Sequence, residues 1–129
     1  MGVYYFNRIL DLPMAKAEER VIEKLSEEGF GILTVIDVKA TLKEKLDVDF
    51  RPYKILGACN PPFAHRALEA EDRIGTMLPC NVILQEVGED LTEVAAVDPI
   101  QSMRAVRNEE LAMIAAEVRN RLMKVIGRV

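Results

Sequence analysis

Apolar side chains return at helical spacing near the end of the chain, at Leu111, Ile114, Ala115, Val118, Leu122 and Val125. Charged residues fill the gaps, so the segment describes a long amphipathic helix with one apolar stripe. A stripe of that length must be buried against an apolar surface, and the rest of the chain offers short strands. The opening VYYFNRIL alternates and is rich in aromatic and β-branched residues, which predicts a first strand. FGILTVIDV (30–38), YKILGACN (53–60), CNVILQEVG and LTEVAAVD predict four more, the last two joined as a hairpin around Gly88-Glu89-Asp90.

Helices fit between and around these strands. Pro13 suits a first helical turn, followed by Met14, Ala17, Val21, Ile22 and Leu25 on an inner face, and Gly29 is placed to end the helix. ATLKEKL reads as a short helix and 47–52 as a polar connection. Pro61 and Pro62 stop the third strand, because proline cannot donate a ladder hydrogen bond; a short helix follows over 62–72, broken by Gly75. Asp98 before Pro99 is a helix start, and Asn108 caps the restarted last helix. Five strands with two main helices at opposite ends of the chain predict an α+β fold with helices on one face of a mostly antiparallel sheet.

With 129 residues, of which 50% are hydrophobic and 29% charged, the chain has the profile of one folded domain (1–129). A net charge of −4 argues against non-specific nucleic-acid binding. The late cations Arg104, Arg107, Arg119, Arg121, Lys124 and Arg128 read as a solvated helix face. The N-terminus lacks the pattern of a signal peptide, and no apolar run approaches the ~18 residues of a membrane span. The expected address is the cytoplasm, where thiols stay reduced.

Chemistry-bearing residues cluster in one place. Both cysteines and the single histidine lie within 22 consecutive positions, at Cys59, His65 and Cys80. Cys59 precedes Asn60, which can cap the helix begun by the two prolines. A thiol near a helix N-terminus, with Arg66 adding positive charge, is expected to have a lowered pKa. Against that stands the ordinary use of cysteine as a small buried hydrophobe, the favoured reading for Cys80. His65 lies opposite Phe63 on a helix, so if Phe63 points to the core His65 tends outward. As a metal site the trio is C-x5-H-x14-C, which lacks the paired spacing of structural zinc; three ligands plus water would need Glu69, Glu71 or Glu86 to join. A Cys59–Cys80 disulfide would need Cα atoms within ~7 Å.

The run YKILGACNPPFAHRALEAEDRIGTMLPCNVILQEVG, followed by VDP, resembles the domain-of-unknown-function family 302 (DUF302), as do the opening strand and helix and GFGILTVIDVKATLKEKL. The resemblance covers nearly the whole chain. It implies a small β-α-β(4)-α fold of the TATA-binding-protein-like class and a homodimer. The chain is similar to the subgroup that carries CNPP, FAH and LPC together, so any chemistry of Cys59, His65 and Cys80 would belong to that subgroup.

Three functions remain open on this reading. One is a dimeric module binding a small molecule, metal or haem-like ligand beside residues 57–66, with Cys59, Asn60, His65, Arg66 and Cys80 as candidate ligand-binding residues. Another is a thiol redox protein or enzyme using Cys59. The third is a purely structural or regulatory dimer. No recognised catalytic motif favours an enzyme, and no cofactor is named by the residues.

Overall fold

The structure, a computed structural model, describes residues 3–129. Five strands form a single sheet: β1 (Tyr5–Leu10), β2 (Gly31–Asp37), β3 (Tyr53–Cys59), β4 (Cys80–Gly88) and β5 (Leu91–Val97). Their spatial order is β1-β5-β4-β3-β2, and every neighbouring pair is antiparallel. The helices are α1 (Met14–Glu27), α2 (Val38–Leu46), α3 (Pro61–Ala70), α4 (Pro99–Ser102) and α5 (Glu109–Arg128).

Four reversals across the sheet leave β1 and β2 pointing the same way at opposite edges. The connection between them therefore has to cross the whole sheet. Four strand spacings amount to about 19 Å, and a helix the length of α1 spans about 21 Å. Helix α1 bridges that distance, packing on β5, β4 and β2 while keeping Ala17, Val21 and Leu25 fully buried. Gly29 ends it in a left-handed conformation (φ 87°), as its lack of Cβ permits.

Strand alternation puts Leu56, Ala58, Val82, Leu84, Val94 and Ala96 on one buried face. Register aligns them, with Leu56 opposite Val82, Val82 opposite Ala96, and Leu84 opposite Val94. The stripe read from the sequence covers this layer: Leu111, Ile114, Ala115, Val118, Leu122 and Val125 are all buried, joined by Ile126. Residues on the reverse face, such as Asn81, stay exposed.

The caps expected at Asp98 and Asn108 are formed. Asp98 Oδ1 accepts from Ile100 N at 3.0 Å, and its Oδ2 accepts from Arg119 Nε at 3.2 Å. Asn108 Oδ1 accepts from Leu111 N at 3.0 Å, and its Nδ2 donates to Ala70 O at 3.0 Å. One amide thus starts α5 and holds the end of α3 against it. The hairpin turns through Glu89 and Asp90, with Asp90 at φ 53°.

Boundaries shift by a residue or two from the sequence reading, as where Val38 starts α2 and does not end β2, and two of the shifts have a clear local form. The first strand begins at Tyr5, not Val3. The helix expected over 62–72 stops at Ala70, because Glu71 adopts an extended conformation (φ −150°, ψ 107°). Its carboxylate then accepts from Arg73 N and starts a separate 3₁₀ turn, Asp72–Met77, so Gly75 lies inside that turn and breaks nothing.

Leu122 is fully buried under the sheet, whereas Met113 on the same helix is 72% exposed. Leu122→Ala should therefore cost about 3 kcal/mol in urea unfolding, from lost transfer energy plus the residual cavity, and Met113→Ala less than about 0.5 kcal/mol.

Candidate functional site

The site grows from the C-terminal end of β3. There Ala58 pairs with Cys80, the first residue of β4, so Cys59 and Cys80 stand diagonally on adjacent strands. The two cysteines, far apart along the chain, are therefore brought onto neighbouring strands. The chain leaves β3 through Asn60 into α3, and α3 packs on α5. Between them and the sheet end lies a cavity of about 320 Å³. Phe30, Ala58, Phe63, Ala67, Ile114 and Val118 give it an apolar wall, and Cys59, Asn60 and Cys80 are its polar-capable groups. That volume is at the small end of the ~300–1,000 Å³ range of ligand pockets, which are mostly apolar with a few placed polar groups.

Local sequence explains the shape. Pro61 and Pro62 occupy the first turn of α3, where their missing N–H groups cost nothing. Small residues at 64 and 67 keep that wall thin and leave the space open. None of this is visible as a motif, because alanine and branched aliphatic residues at helical spacing look the same whether they fill a core or line a hole.

Each candidate residue has a definite place. Cys80 is buried and Cys59 half-buried, both unbonded thiols. Burial pushes the Cys59 thiol above its ordinary value. The Cys80 thiol is pushed up to about 11, chiefly by burial and secondarily by Cys59. This reverses the lowering expected from the helix start: desolvation penalises the thiolate more than the α3 terminus favours it.

Asn60 is buried, and it sits at the N-cap position without capping by its side chain. Its Nδ2 instead donates to Glu28 O at 3.1 Å, tying the end of α1 to the start of α3. The expected cap is thus replaced by a tether. His65 points outward with 76% of its side chain exposed and meets Glu69 at 3.1 Å. It does not line the cavity, and the conditional outward reading from Phe63 holds.

Arg66 is also exposed and outside the lining, but its guanidinium carbon lies 5.6 Å from the Phe63 ring centroid. The structure thus brings Cys59, Asn60 and Cys80 together and separates His65 from them. Without that imidazole the C-x5-H-x14-C arrangement does not assemble. Among the described residues no three His, Cys, Asp or Glu side chains are grouped to hold a metal ion. No helix there is long and apolar enough to cross a membrane.

Arg121 is the contributor that sequence reasoning placed elsewhere, as part of a solvated basic face. From α5 it reaches over Phe63, its guanidinium carbon 5.1 Å from the ring centroid, and donates to Glu28 O at 3.2 Å. The only sequence signal was its position one residue before Leu122 on the helix, and that cannot name Phe63 as a neighbour.

Comparison with known proteins agrees with this architecture. A solved structure described as "uncharacterized conserved protein DUF302 from Bacillus stearothermophilus" superposes with a TM-score of 0.89 at 30% sequence identity, covering 98% of each chain. No curated protein matches the chain. The family described as "Domain of unknown function DUF302" matches residues 6–129. On both the sequence match and the shared fold, the chain belongs to the DUF302 family.

Proposed function

We propose that the protein is a homodimeric binding module that takes a small, largely apolar molecule in the cavity beside residues 57–66. The observation that supports this reading is the cavity itself: an apolar hollow of about 320 Å³ set between a sheet end and two packed helices. Protein interiors are close-packed, and a void of this size lined by apolar side chains forfeits dispersion contacts that an apolar guest would restore. Cys59, Asn60 and Cys80 supply the few polar contacts that would orient the guest. The metal and haem-like alternatives lose support because His65 faces away.

A neutral fluorophore is the direct probe. N-phenyl-1-naphthylamine should gain fluorescence saturably with the native protein. Ala64→Phe, which places a ring on the α3 wall, should reduce that affinity at least about tenfold while leaving the melting temperature within a few degrees. No saturable signal from the native protein would overturn the reading.

The thiol-redox alternative is weaker because both thiols are held protonated near neutral pH. Alkylation of Cys59 should therefore accelerate only above the ordinary value of 9.0. The linkage follows the same direction. A thiol with a raised folded-state pKa contributes stability that is intact below its unfolded value and lost as pH rises. The melting temperature should accordingly fall between pH 9.0 and about 11, and Cys80→Ala should flatten that fall. A Cys59 that alkylates fast at pH 7 would revive the redox reading.

Support for the dimer comes from the edge of the sheet. β2 leaves one side of its ladder unpaired, and its Leu33, Val35 and Ile36 are 66%, 52% and 47% exposed. Helix α2 buries none of its residues, and Leu46 is 66% exposed. An apolar, unprotected edge is a ready template for another strand, and a second copy would cover it. Light scattering across a hundredfold range of concentration should give a dimer mass, and Val35→Lys should give a monomer. A native monomer at every concentration would refute it.

A further inference from the structure

Phe63 stands at the wall of the cavity with two guanidinium groups beside its ring. Arg66 approaches from α3 at 5.6 Å and Arg121 from α5 at 5.1 Å, so a ring of the otherwise apolar wall is flanked by two cations. Of the two, Arg66 keeps its charge uncompensated, whereas Arg121 faces Glu117. Glu69, one helical turn beyond His65, is engaged by that histidine at 3.1 Å, and no carboxylate among the described residues pairs with Arg66. Arg121 Nη1 donates to Glu28 O, while Glu117 Oε1 lies 3.5 Å from Nε. That Nε is nonetheless buried and makes no hydrogen bond. The Glu117 carboxylate compensates its charge without a well-formed hydrogen bond, so the donor is incompletely satisfied.

We propose that the guest of this cavity is an amphipathic carboxylate, with an alkyl or aryl body in the apolar hollow and its carboxylate at the Arg66–Arg121 pair. The inference rests on the ligand-binding reading above and adds the charge and orientation of the ligand. Inside the apolar hollow a carboxylate would lose its hydration without a partner, so the anion belongs outside the wall and the hydrocarbon inside it. Guanidinium groups suit the task, because their planar donors match carboxylate geometry and stack on aromatic rings. An alkyl ammonium would meet the unpaired like charge of Arg66. His65, outward beside Glu69, takes no part.

The test uses three ligands of one chain length, decanoate, decanol and decylamine, each displacing N-phenyl-1-naphthylamine from the native protein at pH 7.5. Decanoate should bind at least about tenfold tighter than decanol, with decylamine weakest. Arg66→Gln and Arg121→Gln should each erode the preference for decanoate while leaving decanol affinity nearly unchanged, and Arg66→Gln, at an exposed position, should also leave the melting temperature in place. Added salt should weaken decanoate and spare decanol. Equal affinity for decanoate and decanol, or a preference untouched in both variants, would overturn the carboxylate assignment while leaving the cavity reading intact. Failure of the native protein to bind the fluorophore or any of the three would overturn both.

Discussion

Everything in this molecule depends on one topological constraint: the first two strands lie at opposite edges of the sheet, and α1 must span the face between them. Once α1 lies across β5, β4 and β2, the remaining width of that face must be closed by α5, and the two helices pack on each other. Their buried residues meet a layer of Leu56, Val82, Leu84, Val94 and Ala96 that register has already aligned. The hydrophobic term dominates because burying each such side chain removes apolar area from water at ~25 cal/mol per Å². Polar contacts then set positions. Glu28 shows this most clearly, its carbonyl accepting from Asn60 and Arg121 while its carboxylate meets Arg128 at 3.4 Å.

The cavity follows from the same arrangement. α3 is held to α5 at its C-terminal end by Asn108 and begins at the tether between Asn60 and Glu28. Both ends are thus fixed, and the small residues between them do not fill the gap to the sheet. The two thiols take their character from this enclosure. A half-buried Cys59 and a buried Cys80 are kept protonated by poor solvation, so the feature that looked most reactive becomes part of an apolar wall. The guanidinium groups of Arg66 and Arg121 stand beside Phe63.

The strands and main helices were legible because period and punctuation carry them. Alternation in LTEVAAV, the helical stripe from Leu111 to Val125, the proline pair at 61 and 62 and the caps at Asp98 and Asn108 are local signals, and each holds to within a residue or two. The misreadings share a cause. Asn60 was positioned to cap α3, yet its amide found the Glu28 carbonyl 32 residues away. Cys59 was positioned for activation by the helix start, yet burial by elements distant in sequence outweighed it. Arg121 read as solvated because nothing in its neighbourhood along the chain announces Phe63.

Sequence alone determined the elements, their faces, the α+β class and the neighbourhood of the candidate site, since these rest on periodicity and on the backbone chemistry of proline, glycine, aspartate and asparagine. Tertiary structure alone decided the strand order, the meeting of Cys59 with Cys80, the exclusion of His65 and the hollow between α3, α5 and the sheet. The physical reason is that solvation and contact depend on residues brought together from far along the chain. A thiol, an imidazole and a guanidinium acquire their chemistry from what surrounds them, and here those surroundings come from α1, β3, α3 and α5 together.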